Sequence, residues 1–151
     1  MISLRDEIEI DTSPRQFFEW LERMPKEYMA WHLDHVACKM LLGSMLEVGS
    51  EMECQEYLHG KLHTMRFCMM KVISDERIEF VIEGMGRGAF AAVANEHGIV
   101  FVAELNIGSD TPIIGDLFDF IFRMFFKNRI DEMKIHMVEE GQNLKALLEA
   151  L

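Results

Sequence analysis

The alternation of hydrophobic and polar residues at the start of the chain predicts a strand followed by a helix. Residues 3–10 alternate weakly, with the period of two that is typical of a strand. Ser13 is a suitable N-cap and Pro14 a suitable first helical residue, so we predict a helix that Pro25 ends. We interpret residues 26–42 as a second helical or irregular segment, which Gly43 closes.

The middle of the chain has the pattern of an antiparallel meander. Short runs of strand-forming residues are separated by turn signals that contain glycine, serine, asparagine or aspartate. Because the connections are short, neighbouring runs are expected to pair in antiparallel fashion. The predicted strands are residues 51–58, 61–72, 77–83, 89–95 and 99–107.

The last third of the chain predicts one long helix, which begins near Pro112 and runs to Leu144 or beyond. Its apolar residues recur at helical spacing, and they cover more of the surface than a solvated helix carries. Such a helix needs a concave sheet to lie in. We therefore predict an α+β fold in which a curved antiparallel sheet of about six strands wraps round the C-terminal helix, with two short helical segments after the first strand.

Two segments have recognisable motifs. The first runs from Ile8 to Leu21 and contains Ser-Pro followed by Phe-Phe-Glu-Trp-Leu. The second is Gly-Gln-Asn-Leu-Lys, which begins at Gly141. Both segments resemble the START-like superfamily, also called SRPBCC, which includes polyketide cyclases, plant allergens of the Bet v 1 type and lipid-transfer domains. The resemblance implies the helix-grip fold over the whole chain and a central cavity, but it leaves the function open between carriers, cyclases and hydrolases.

Composition and charge narrow the possible partners. The 151 residues are enough for one domain, residues 1–151, and the net charge of −11 argues against nucleic acid and anionic membranes. No run is long and apolar enough for a membrane span, and the first residues do not have the pattern of a signal peptide. The odd number of cysteines, three, predicts reduced thiols in the cytoplasm. Thirteen methionines suit either an ordinary core or an irregular apolar pocket.

Glu56 is the first candidate for chemistry, because strand alternation directs it inward among apolar neighbours. A buried carboxylate without a partner is unfavourable, so Arg66, a proton or a metal ion must neutralise it. The plainer alternatives are a buried pair with Arg66, or a strand end that leaves Glu56 in water.

Histidines and carboxylates recur in two other places. His136 and Glu140 lie one turn apart on the long helix, a layout that suits a shared metal ion and is also common as a surface hydrogen bond. His32 and His35, with Asp34 between them, follow Tyr28 and Trp31, and the alternative for them is a polar loop over the pocket mouth.

Two histidines and two carboxylates suit Zn²⁺, or another divalent ion such as Mn²⁺ or Fe²⁺. The order of these residues resembles the metal-dependent hydrolases of diacetylphloroglucinol and phloretin, which cleave a carbon–carbon bond next to a carbonyl. The resemblance implies His35 (or His32), Glu56, His136 and Glu140 as the metal ligands.

We therefore predict a metal-dependent hydrolase that acts on an aromatic ketone or polyketide-like compound, with His32 and Asp34 as candidate acid–base residues. The alternatives are a carrier of a lipid or other hydrophobic ligand, and a metal-free cyclase or dehydratase. Apolar residues of the first helix and Phe125–Phe126 are candidates for a homodimer contact. The predicted pocket residues are Trp31, Met65, Arg66, Phe67, Met69, Phe80, Phe118, Phe122, Met133 and Met137.

Overall fold

The structure is a computed structural model that describes residues 1–58, 60–108 and 112–151, with side chains described from residue 129 onward in the last range. Seven strands and two helices make up this part of the chain. In chain order they are β1 (Ile2–Ile10), α1 (Pro14–Trp31), β2 (His35–Leu42), β3 (Glu51–Leu58), β4 (Lys61–Ile73), β5 (Arg77–Ile82), β6 (Gly86–Asn95), β7 (Gly98–Ile107) and α2 (Pro112–Glu149).

All seven strands form one curved antiparallel sheet in the order β1-β7-β6-β5-β4-β3-β2. The strands from β2 to β7 follow one another as a meander, and β1 closes the series by pairing with β7 along its whole length. The hydrophobic core joins this sheet to α1 and to the C-terminal half of α2, where Leu144 and Leu148 are fully buried. The predicted α+β fold with a sheet round a long helix is confirmed.

The segment after β1 differs from the prediction in two respects. There is one helix rather than two, because α1 continues through Pro25 to Trp31. Residues 35–42 are strand β2, which makes the sheet seven-stranded rather than six-stranded. Long-range pairing with β3 determines the conformation of this stretch, and local pattern does not reveal such pairing.

Helix α1 passes Pro25 because its buried stripe continues on the far side. Met24, Tyr28 and Trp31 extend the stripe begun by Phe17 and Leu21, and all five side chains are buried. Burial of two large aromatic residues outweighs the one backbone hydrogen bond that proline cannot make. The start of the helix is as predicted: Ser13 is the N-cap, and its side chain accepts a hydrogen bond from the backbone of Gln16.

We expect Pro25→Ala to stabilise the protein by about 2 kcal/mol. Interior proline costs ~3 kcal/mol relative to alanine, and its rigidity in the unfolded chain offsets about 0.4–1 kcal/mol of that cost. Urea unfolding measures the change. The control is Glu22→Ala on the exposed face of α1, which should shift the stability by less than ~0.5 kcal/mol. A lower urea midpoint for Pro25→Ala would contradict the expectation.

None of the helices, over the residues the structure describes, is long and apolar enough to cross a membrane.

Candidate metal centre

Four side chains from three elements converge at one end of the core. His35 is the first residue of β2, and the register of the sheet pairs it with Glu56 on β3. His136 and Glu140 extend from successive turns of α2. Each of the four offers one ligand atom, and these atoms all lie within 4.8 Å of one another. The four residues predicted as metal ligands are therefore brought together by the fold.

The four separations between a histidine nitrogen and a carboxylate oxygen are close to those of a tetrahedral site. His35 Nε2 lies 3.2 Å from Glu56 Oε2 and 3.1 Å from Glu140 Oε2. His136 Nε2 lies 3.5 Å from Glu56 Oε2 and 3.5 Å from Glu140 Oε1. A tetrahedral zinc ion with bonds of ~2.0–2.1 Å holds its ligands roughly 3.3–3.4 Å apart, so the four distances bracket the expected edge.

Both imidazoles direct a buried nitrogen into this space without a hydrogen-bond partner. Of the described side chains, His35 Nε2 and His136 Nε2 are among the few buried polar atoms with no aligned partner, although carboxylate oxygens are close. Each of these nitrogens lies near an oxygen of Glu56 and an oxygen of Glu140. A lone pair directed between two carboxylate oxygens is the arrangement that a shared cation requires.

Tyr28 fixes the orientation of two of the ligands. Its backbone carbonyl lies 2.8 Å from His35 Nδ1, and a carbonyl only accepts, so Nδ1 carries a proton and Nε2 is the nitrogen left to bind a metal ion. Its ring stacks on the His35 imidazole at a centroid distance of 3.8 Å. Its hydroxyl donates a hydrogen bond of 2.8 Å to Glu56 Oε2. Tyr28 thus provides the outer support that metal-binding histidines and carboxylates usually have.

The end of α1 is attached to α2 beside the centre. The Trp31 indole nitrogen donates to the backbone carbonyl of Glu140, and the Asn143 side-chain amide donates to the carbonyl of Trp31. These two hydrogen bonds fix the helical turn that carries Glu140 relative to the start of β2.

Without a metal ion the four groups hold protons and charges that balance one another. Burial lowers the pKa of His35, but the Glu140 and Glu56 carboxylates outweigh it and raise this pKa to about 9. Burial raises the pKa of Glu56, but His136 and His35 outweigh it and lower this pKa to about 2. The pKa of His136 is raised as well, because the Glu56 carboxylate outweighs the effect of burial. A metal ion must displace these protons, so we expect its affinity to fall with falling pH.

With metal removed by a chelator, we expect the unfolding free energy to be greatest between about pH 4.5 and pH 6.5. The raised pKa of His35 stabilises the fold below 6.5, and this contribution is lost as the pH rises through about 9. The lowered pKa of Glu56 stabilises the fold above 4.5, and this contribution is lost as the pH falls through about 2. The alkaline loss is about 3 kcal/mol. Urea unfolding of chelated protein from below pH 4.5 to above pH 9 tests this prediction. An unfolding free energy that stays constant above pH 6.5 would contradict it.

The structure places His32 and Asp34 beside the centre, but they do not line the apolar cavity that adjoins it. His32 Nδ1 accepts the backbone N–H of Asp34, so Nε2 carries the proton and donates to Glu139 Oε2 at 2.8 Å. Asp34 Oδ2 lies 3.9 Å from His136 Nδ1, on the side of the ring away from the centre. Both nitrogens of His32 thus have hydrogen-bond partners. This position favours a role in supporting the neighbouring residues over the acid–base role predicted from sequence.

A cavity of about 120 Å³ lies against the centre. Glu56, His136 and Glu140 form its polar wall at the centre, Glu104 also lines it, and the rest is mainly apolar. Among the methionines whose side chains the structure describes, eight line it, namely Met24, Met45, Met52, Met65, Met69, Met85, Met133 and Met137. Trp31, Phe67 and Phe80 line it as predicted, whereas Phe118 and Phe122 lie outside the residues whose side chains are described.

Arg66 does not line this cavity, contrary to the prediction. It lies between Met65 and Phe67 on β4, so it points to the opposite face of the sheet. Its side chain is 59% exposed and lies 3.6 Å from Glu53. The buried Glu56–Arg66 pair considered from sequence is therefore wrong, because Tyr28 and the two histidines surround Glu56.

Sequence reasoning missed Tyr28 as a site residue. The only signal for it was its position, one turn before Trp31 and two turns before His35. Local sequence does not show that its ring and carbonyl support His35 while its hydroxyl supports Glu56. Cys54 was also missed as a residue of the cavity wall.

Solved structures similar to this one cover nearly the whole chain. Ara h 8.0201 matches with a TM-score of 0.68 at 10% identity, over 99% of both chains. The chain has the helix-grip fold. The Aha1 dimer from Colwellia psychrerythraea shares it, with a TM-score of 0.66 at 16% identity, over 99% of this chain and 97% of that one.

The di-domain ARO/CYC protein BexL, from the BE-7585A biosynthetic pathway, is a further solved structure with a similar fold. It matches with a TM-score of 0.70 at 12% identity, over 99% of this chain and 50% of its own length. At such identities the similarity shows the fold alone. No protein-family model and no curated protein matches the sequence. The resemblance to the acylphloroglucinol hydrolases stays a prediction.

Proposed function

We propose that this protein binds a divalent metal ion through His35, Glu56, His136 and Glu140 and uses it on a small hydrophobic carbonyl compound in the adjoining cavity. The observation that carries the proposal is the pair of buried, unpartnered imidazole nitrogens, spaced from two carboxylates as ligands of one tetrahedral ion are.

The donor set favours zinc. Two imidazole nitrogens and two carboxylate oxygens in a closely spaced group suit Zn²⁺, while Ca²⁺ and Mg²⁺ prefer six or more oxygen ligands. Manganese and iron accept the same donors, and metal analysis distinguishes them.

The cavity favours a ligand of about one aromatic ring. Its volume of about 120 Å³ is close to that of an engineered apolar cavity of ~150 Å³ that binds benzene. Methionine thioethers make favourable contacts with aromatic rings and adapt to their shape. The polar wall at the centre gives the ligand one preferred orientation, with its oxygen toward Glu56, His136 and Glu140.

A divalent ion bound here would polarise a carbonyl or lower the pKa of a water molecule. The protein itself orients the His35 imidazole through the carbonyl of Tyr28, holds the Glu56 carboxylate through the Tyr28 hydroxyl and excludes bulk water with its apolar walls. The reaction class that we propose, through the resemblance to acylphloroglucinol hydrolases, is hydrolysis of a carbon–carbon bond next to a carbonyl.

A carrier of a hydrophobic ligand is the second candidate function. The favouring observation is that apolar side chains form most of the wall, so an apolar molecule is held without any chemistry at the polar end. Under this alternative the four polar groups remain a proton-bridged cluster that stabilises the fold.

Binding of a matched pair of probes separates the two functions. Acetophenone and ethylbenzene have the same ring and differ in the carbonyl, and each is titrated against a fluorescent apolar dye in zinc-loaded and chelated protein. We expect about one zinc per chain and tighter binding of acetophenone, but not of ethylbenzene, when zinc is present. Protein that takes up no zinc, or that binds both probes equally with and without zinc, would support the carrier.

A further inference from the structure

Two of the three cysteines face each other across neighbouring strands next to the cavity. The register of β2 and β3 places Cys38 directly opposite Cys54, and the two sulfur atoms lie 2.9 Å apart. This separation is shorter than ordinary contact between two sulfur atoms. Directly opposite residues of an antiparallel pair have Cβ atoms ~4.5–5.5 Å apart, which is slightly more than the ~3.5–4.5 Å between the Cβ atoms of a disulfide. A small movement of the two strands toward each other would therefore allow a disulfide to form.

The two thiols have different surroundings. Cys54 is 1% exposed and lines the cavity, two residues before Glu56 on the same face of β3. Cys38 is only partly buried, so a small molecule in solvent can reach it. Cys68, on β4, is also partly buried, but its partners across the sheet are Glu51 and Val81. The structure thus supplies a close pair and a comparably accessible thiol without a cysteine opposite it.

We propose that Cys38 and Cys54 are a modification site, at which hydrogen peroxide converts the two thiols into a reversible intramolecular disulfide. Cys38 Sγ attacks the peroxide, an S–O bond forms as the O–O bond breaks, and the departing oxygen leaves as water with the thiol proton. Cys54 Sγ then attacks Cys38 Sγ, the S–S bond forms as the S–O bond breaks, and the second oxygen leaves as water with the second proton. Two electrons pass from the two thiols to the peroxide.

The site lies between the strands that carry two of the four clustered polar groups. His35 and Glu56 are one register pair, and Cys38 and Cys54 are another pair close to it on the same two strands. A bond between the sulfur atoms would close a loop of 16 residues and join β2 covalently to β3. It would also alter the cavity wall at Cys54, beside the Tyr28 hydroxyl.

Peptide mapping of peroxide-treated protein tests the proposal. Reduced protein is exposed to a small excess of hydrogen peroxide, remaining thiols are alkylated, and the products are identified by mass spectrometry. We expect one linked peptide pair that contains Cys38 and Cys54, with the loss of two hydrogen atoms, while Cys68 is alkylated. Dithiothreitol should reverse the change. The thermal midpoint of the oxidised protein should rise by about 6–12 °C, because the closed loop restricts the unfolded chain.

Two variants serve as controls. Cys68→Ser keeps the pair and should behave as the parent protein, whereas Cys38→Ser should neither lose two hydrogen atoms nor gain thermal stability. Over-oxidation of Cys38 without a link to Cys54, a disulfide that contains Cys68, or a fall in the thermal midpoint would each overturn the proposal. These readouts do not depend on metal, so they stand apart from the test of the proposed function.

Discussion

His136→Ala should lower the zinc content of the purified protein from about one ion per chain to nearly none. The substitution removes the one imidazole that α2 contributes. The ring of His32 lies 4.2 Å from that of His136, but both of its nitrogens are engaged by Asp34 and Glu139. Loss of a residue that merely supports a ligand reduces metal affinity ~10–100-fold, so loss of the ligand itself should reduce it by ~100-fold or more. Elemental analysis and competition with a chromogenic chelator measure the two quantities.

The control for this experiment is His97→Ala. His97 is exposed in the turn between β6 and β7, far along the sheet from the centre, and its removal should leave zinc content unchanged. Circular dichroism should show the same helix content in both variants, because the His136 side chain is at the end of the core rather than within it. Equal zinc content in His136→Ala and His97→Ala would sink the proposed metal centre.

His35→Leu should destabilise the metal-free protein by about 3–5 kcal/mol, as is usual when one partner of a buried charged group is removed. The side chain of His35 is 0% exposed and lies between the carboxylates of Glu56 and Glu140. Leucine fills a similar volume but leaves these two negative groups close together with only His136 to balance them. It also loses the hydrogen bond to the carbonyl of Tyr28 and the stacking on its ring. Urea unfolding in the presence of a chelator measures the loss.

A double variant separates the charge effect from packing. His35→Leu combined with Glu56→Gln removes one of the unbalanced carboxylates and keeps an oxygen that accepts from Tyr28. We expect it to recover about 1–3 kcal/mol relative to the sum of the single variants, because the two residues are in contact. Strict additivity would mean that His35 contributes through packing alone.

Most of the fold was predictable because its signals are local. Short turns between alternating runs predicted the meander from β3 to β7, and Pro112 with the apolar pattern after it predicted α2. Strand β2 and the second half of α1 were not predictable, because both depend on distant partners. Strand β2 forms because residues such as His35 pair with β3, and the end of α1 is helical because Tyr28 and Trp31 pack into the core.

The candidate site was also predictable only in part. Alternation along β3 predicted that Glu56 points inward, and the spacing of His136 and Glu140 predicted that both face one side of α2. The choice between His32 and His35 depended on where α1 ends and β2 begins. The structure favours His35 because this residue is the first of the strand and stacks on Tyr28, whereas both nitrogens of His32 are engaged elsewhere.

The order of the four clustered residues along the chain has a consequence for biosynthesis. The helix that contributes His136 and Glu140 comes after all seven strands, about 80 residues after Glu56. A ribosome therefore produces the sheet before it produces two of the four donors, and the growing polypeptide offers a passing cation only half of the set. An ion held by all four groups would have to await docking of the last helix, so it would bind the finished fold rather than guide its formation.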